Sequence, residues 1–204
     1  MSTNDIAEEI VFVCRRLYEK GLIAGADGNV SARDPASGHI LITPSGVHKG
    51  FLKKDELLLL NADGAVLKGK GRPSSELAVH LEIYRADSSA NAVVHTHAPW
   101  AMALSLSGRG LLPHSMIEAE MLLGRVVEVP FYLPGSQELA DAVVSAIKNG
   151  PVQLLAHHGA ISRGATLRQA FELMECLEHN ARIQALAHLL GGARAVPIFQ
   201  GNPH

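Results

Sequence analysis

Helical and strand-like patterns alternate along nearly the whole chain, and this alternation limits its fold more than any other feature. Ile6, Ile10, Val13 and Leu17 recur at helical spacing behind the capping residues 2–4. Gly21 stops that helix. The turn Ala24-Gly25-Ala26-Asp27-Gly28-Asn29 then leads into a strand over 29–33. A second strand over 39–43 ends at Pro44-Ser45-Gly46, and Ser74 is placed to cap a helix reaching about Arg85. A buried strand follows over 91–97, then helices over 99–106 and 114–123 and a strand over 125–129. A serine-capped helix over 136–148 precedes a short strand over 152–156, and Thr166 opens a long helix that Gly191-Gly192 closes. Short strands interleaved with helices bury their faces by layering, so the pattern predicts a layered α/β domain and leaves the strand order open.

The 204 residues suit one domain over 1–204, and no repeat or linker divides them. Apolar residues make up 47% of the chain, enough for a substantial core. A formal charge of −2 argues against a nucleic-acid-binding surface. No apolar stretch nears the roughly 20 residues that a membrane span needs. The opening residues lack the basic-then-apolar order of a secretory signal. Cys14 and Cys176 both fall in apolar helical patterns, so they read as core residues in a reducing cytoplasm. The unusual count is histidine, at eleven, which directs attention to metal sites.

In Val93-Val94-His95-Thr96-His97, side chains two apart on a strand share a face, so His95 and His97 converge while Thr96 turns away. Paired imidazoles suit zinc, although two hydrogen-bonded histidines would give the same spacing. A third ligand comes from His157-His158-Gly159 at the end of the 152–156 strand; spacing alone does not choose between the two histidines. Gly159 permits a sharp turn or a close approach. Glu76 lies in Pro73-Ser74-Ser75-Glu76, in the first turn of a helix capped by Ser74, where an acidic residue also complements the helix dipole. The Ser74 and Ser75 hydroxyls, with free amides at that helix start, form a candidate phosphate site to which Gly28-Asn29 and Ser45-Gly46 add donors. Lys49, Arg109 and Arg125 read as solvated, and Phe131-Tyr132 as part of a substrate pocket.

Gly28-Asn29-Val30-Ser31, Thr43-Pro44-Ser45-Gly46, Pro73-Ser74-Ser75-Glu76, His95-Thr96-His97 and His157-His158-Gly159 occur in this order. Together they resemble the class II aldolase/adducin family over nearly the whole chain. The resemblance implies a single three-layer α/β/α domain whose central, mostly antiparallel sheet is flanked by helices. It implies Zn2+, or another divalent ion such as Mn2+, on His95, His97 and His158. It implies Glu76 as the acid/base carboxylate, and substrate phosphate held by Gly28, Asn29, Ser45, Gly46, Ser74 and Ser75. It further implies reversible cleavage of a ketose 1-phosphate of the fuculose, 5-deoxyribulose or 5-methylthioribulose type into dihydroxyacetone phosphate and an aldehyde. The partner is then a small phosphorylated sugar, and the assembly a homotetramer with its site near a subunit interface.

One position departs from the family pattern. Ser115, in His114-Ser115-Met116-Ile117, stands where related aldolases carry the tyrosine that protonates the aldehyde oxygen, leaving Tyr132, His114 or a water for that task. Dehydratases and epimerases of the same family are the nearest rivals, and Glu76 argues against the epimerase, which carries aspartate there. A non-catalytic adducin-like module is the remote one, opposed by the filled histidine and carboxylate positions. The tail after Pro197 reads as mobile, and in related enzymes such tails close over the site.

Overall fold

The computed structural model describes residues 2–197. Eight strands form one sheet: β1 (Asn29–Arg33), β2 (Ile40–Ile42), β3 (Leu58–Leu60), β4 (Val66–Lys68), β5 (Ala92–Thr96), β6 (Val127–Val129), β7 (Val152–Leu155) and β8 (Gly159–Gly164), in the order β4-β3-β2-β1-β5-β8-β7-β6. Every neighbouring pair is antiparallel except β6 with β7. The sheet is thus mostly antiparallel and carries helices on both faces, as the family resemblance implies. Among the described residues no helix is long and apolar enough to cross a membrane.

Alternation along the central strands decides what each face carries. Val30 and Ala32 of β1 and Ala92 and Val94 of β5 point into a core shared with helices α1 (Thr3–Glu19), α3 (Pro99–Leu106), α4 (Ile117–Leu123) and α6 (Leu167–Leu189). Val93 of β5 points to the other core, under α2 (Leu77–Ala86) and α5 (Gln137–Ala146). On α1 the predicted stripe Ile6, Ile10, Val13 and Leu17 is buried, each residue contributing roughly 1.5–3 kcal/mol. Ser2 caps α1 by accepting from the Asp5 amide, and Thr166 caps α6 by accepting from that of Gln169.

Three strands escape the sequence patterns. The short β3 and β4 lie at one edge, and β8, Gly-Ala-Ile-Ser-Arg-Gly, looks like a loop. Its small residues have a packing reason: Ser162 donates to the Ala170 carbonyl of α6 at 2.7 Å, and a Cβ on Gly164 would stand 2.9 Å from the Ala170 amide nitrogen. Residues 114–116 precede rather than begin α4, with His114 at a positive φ of 55°. Both cysteines are free, with Cys14 buried in the core and Cys176 half-buried. The tail expectation concerns residues 198–204, which lie outside the described residues.

Candidate active site

The site forms where β1 begins, β5 ends, β8 begins and α2 begins. His95, near the end of β5, shares the α2 side of the sheet with Val93 and is 1% exposed. Its Nδ1 lies 2.9 Å from the Ala160 carbonyl, so the ring donates its hydrogen there and Nε2 keeps only a lone pair. His97 stands one residue past the end of β5. The β7–β8 hairpin supplies the third ring. His157 takes a left-handed φ of 59° and faces solvent, its ring edge-on to Phe131, which leaves His158 to face the cluster. Ligand atoms of His95, His97 and His158 lie within 4.8 Å of one another. The structure therefore brings together the three predicted histidines and selects His158 over His157.

Gly159 is required by proximity rather than by its φ. A Cβ there would lie 2.3 Å from the Thr96 carbonyl oxygen and 3.1 Å from the His95 and His97 rings. Gly28 combines both demands, with a φ of +66° and a Cβ position 2.7 Å from the His95 carbonyl oxygen.

Glu76 is the N-cap residue of α2, one position before the first turn in which the sequence places it. The Ser74 hydroxyl accepts from the Glu76 amide at 3.3 Å. The Glu76 carboxylate turns away from its own helix toward the histidines, with Oε2 3.1 Å from His95 Nε2 and Oε1 3.2 Å from His158 Nε2. Burial alone would raise this carboxyl, but the neighbouring His95 ring, then His158 and the Asn29 amide, hold it well below the usual carboxylate range. Burial lowers His97 and pushes His158 down to about 4, the neighbouring His95 adding to both, so both rings are neutral near pH 7.

These atoms test the metal directly. His95 Nε2 is buried without a hydrogen bond although a carboxylate oxygen stands 3.1 Å away, because two lone pairs face each other once Nδ1 holds the hydrogen. A cation between them removes that conflict. Three nitrogen donors and a nearby carboxylate fit zinc, and the residues present fit the group.

A cleft of about 310 Å3 opens beside this cluster, lined by all six predicted phosphate residues together with Glu76, His97 and His158. Three larger cavities, of about 650 Å3 beside Trp100, about 530 Å3 beside Tyr18 and Phe51 and about 470 Å3 around His114 and Arg125, hold no comparable cluster among the described residues. The helix-start amides are less free than expected. Ser74 takes those of Glu76 and Leu77 on its side chain and carbonyl, and the Ser45 amide bonds the Arg72 carbonyl. The Gly46 and Ser75 amides make no backbone hydrogen bond among the described residues, and both residues line the cleft.

Lys49 corrects the sequence reading: it is 2% exposed, lines the cleft, and donates from Nζ to the Ala26 and Val47 carbonyls at 2.9 and 2.8 Å. It ties the 24–28 turn to the 44–49 loop, and burial lowers its pKa. Asp27 also lines the cleft, its carboxylate 3.6 Å from His97 Nδ1, beyond a direct hydrogen bond. Neither residue bears a local mark of its role, since a lysine or aspartate in a polar turn is ordinary. Arg109 and Arg125 are exposed, as expected. Pro134, rather than Phe131 or Tyr132, reaches the cleft. Ser115 lies away from it, its hydroxyl bonded to Asn180 and Gln184 of α6.

The comparisons agree with this geometry. A family profile described as "Class II Aldolase and Adducin N-terminal domain" matches residues 8–185. The chain is 36% identical over 182 residues to an L-fuculose phosphate aldolase of Methanococcus maripaludis, covering 89% of this chain and 97% of that protein. It is 34% identical over 191 residues to a 5-deoxy-D-ribulose 1-phosphate aldolase of Bacillus thuringiensis, covering 93% and 89%. A solved L-fuculose 1-phosphate aldolase superposes with a TM-score of 0.89 at 30% identity, covering 97% of this chain and 92% of that one. With histidines, carboxylate and cleft in one place and the match running almost end to end, this chain belongs to the class II aldolase and adducin family.

Proposed function

We propose that this protein is a zinc-dependent class II aldolase. It reversibly cleaves a ketose 1-phosphate of the fuculose, 5-deoxyribulose or 5-methylthioribulose type into dihydroxyacetone phosphate and an aldehyde. The observation that carries this reading is the buried, unpartnered His95 Nε2 facing the Glu76 carboxylate beside a cleft of phosphate-sized donors.

His95, His97 and His158 would hold the ion, with Zn2+ favoured by the all-nitrogen donor set and Mn2+ the alternative. When bound, such an ion supplies Lewis-acid stabilisation for the negative charge that develops as the C3–C4 bond breaks. Glu76 moves the proton: in cleavage it returns one to the carbon that becomes the hydroxymethyl group of dihydroxyacetone phosphate, and in condensation it removes it. Its place against the histidine nitrogens would let base and charge-stabilising ion act on one reacting carbon. Gly28, Asn29, Ser45, Gly46, Ser74 and Ser75 hold the phosphate, and Lys49 keeps their two loops together.

None of Ser115, His114 or Tyr132 lines the cleft of a single chain. This supports a homotetramer with the site near a subunit interface, where another copy or a water completes the aldehyde side. Ile117, Met121 and Leu122 of α4 and Leu189 and Leu190 at the end of α6 are exposed apolar residues available for such an interface. Two free cysteines support a cytoplasmic location.

A cleavage screen of the three ketose 1-phosphates, read by triose phosphate release, tests the reaction. Dihydroxyacetone phosphate as product is expected, whereas a diketone would identify a dehydratase and C4 inversion an epimerase. Glu76→Gln should retain the metal and lose about 10²–10⁴ in kcat, and undiminished turnover would remove Glu76 from the mechanism.

A further inference from the structure

Behind the cleft, a line of polar side chains runs from the carboxylate into the protein interior. Glu76, His80 and Tyr84 are four residues apart along the start and body of α2 and share one face, while Asn29 and Ser31 are two apart on β1 and share the opposing face. Asn29 Nδ2 donates to Glu76 Oε2 at 2.9 Å. Asn29 Oδ1 meets His80 Nε2 at 2.5 Å, His80 Nδ1 meets Ser31 Oγ at 2.7 Å, and Ser31 Oγ meets Tyr84 Oη at 2.7 Å. All five residues are buried, with His80 and Ser31 fully so.

The acceptor-only carboxylate sets the direction of every hydrogen in this line. Glu76 requires the NH2 end of the Asn29 amide, so Oδ1 faces His80 and the His80 hydrogen must be on Nε2. His80 Nδ1 is then an acceptor, Ser31 donates to it, and Tyr84 donates to Ser31. Burial pushes the His80 imidazole down to about 3, so near neutral pH it carries the single hydrogen that this arrangement needs. Beyond the histidine rings, the Asn29 amide is the only hydrogen-bond partner of the Glu76 carboxylate among the described residues.

We infer that His80 is a positioning residue for the reaction: by donating from Nε2 to Asn29 Oδ1, it holds the amide that holds the Glu76 carboxylate in place. The inference rests on the reading of Glu76 as the acid/base group. The carboxylate selects which end of the amide it meets, and His80 keeps that amide from turning toward water to satisfy an otherwise buried, unpaired carbonyl oxygen. A general base works only within narrow limits of distance and direction, and loosening by about 1 Å costs about 10²-fold in rate.

The test uses the zinc-loaded full chain and reads kcat, KM, metal content and thermal midpoint. His80→Met removes the donor at similar volume and should lower kcat by about 10–100-fold with metal content unchanged. His80→Gln restores a donor toward Asn29 and should recover kcat to within about fivefold of the parent. In an Asn29→Ala background, His80→Met should cost less than about twofold, because the residue through which it acts is gone. His80→Asn, too short to reach Asn29, is read in place of His80→Met if that variant does not fold. If Glu76→Gln is inactive while His80→Met leaves kcat unchanged, the positioning role is overturned. Loss of the full factor in the Asn29→Ala background, or no recovery in His80→Gln, also overturns it. If Glu76→Gln itself keeps full turnover, the reading of Glu76 fails instead, and the two failures stay distinguishable.

Discussion

β1 starts at Asn29 beneath the histidine cluster and finishes at Arg33 on the far side of the sheet, and β8 likewise runs from Gly159 to the Arg163–Gly164 end. At the far side the guanidiniums of Arg33 and Arg163 are matched. Arg33 donates to the carbonyls of Tyr84, Ser88 and Ala90 and to Asn91 Oδ1, its guanidinium 5.1 Å from the Tyr84 ring centre. Arg163 meets Asp87 Oδ2 at 2.7 Å and the carbonyls of Gly150 and Ile147. At the near side, His95 Nε2, Thr96 Oγ1 and His158 Nδ1 are buried without a hydrogen bond. Matched buried groups close loops onto the sheet, whereas unmatched ones are free-energy costs that persist where a ligand is to be received. One pair of strands therefore carries a stabilising end and a chemical end.

That contrast separates what substitutions should do. The largest effect is expected at the chemical end: His95→Ala should abolish metal retention and reduce kcat/KM by about three orders of magnitude or more. Metal analysis on the purified variant checks this, and full activity with bound metal would break the assignment.

Arg33→Ala should act in the opposite sense. Carbonyls at the α2 end and the 87–90 turn would lose their donor, costing about 3 kcal/mol and lowering Tm by about 6–12 °C. The kcat of the folded fraction should change by less than about twofold, and a tenfold loss in kcat without a Tm change would erase the distinction between the ends.

The smallest effect concerns Asp87. Burial raises its carboxyl, but hydrogen bonds from Ser89 and then the Arg163 guanidinium bring it down from 3.8 to about 2. A depressed folded-state pKa adds stability above the unfolded value that is lost as pH falls through the folded one. With one edge in solvent, the contribution near neutral pH is about 1 kcal/mol. Asp87→Asn should therefore lower Tm at pH 6, and the gap to the parent should close between about pH 4 and pH 2. A gap that stays constant over that range would show that the ion pair is not its source.

Much of the site was legible because it obeys strand periodicity and local glycine chemistry. His95 and His97 are two apart on a strand, the Gly28-Asn29 and Ser45-Gly46 turns declare themselves, and a glycine follows His158. Other residues were not legible. Lys49 and Asp27 occupy unremarkable polar turns and gain their roles from what packs against them. The four-residue spacing of Glu76, His80 and Tyr84 was present in the sequence, but that spacing also describes any helix face. β8 was hidden because its residues are small, a property that makes sense only beneath α6.

By itself, the sequence determined the layered α/β class, most helices with their caps, and the inventory of donor atoms, since each depends on residues near one another along the chain. Tertiary structure decided which histidine of the 157–158 pair faces the cluster, through the left-handed backbone of His157. It also decided that β8 lies between β5 and β7, that the Glu76 carboxylate leaves its helix for the histidines, and that His95 presents a bare nitrogen. These outcomes depend on contacts between residues dozens of positions apart, such as Ala160 with His95 and Asn29 with Glu76, and no local pattern encodes them.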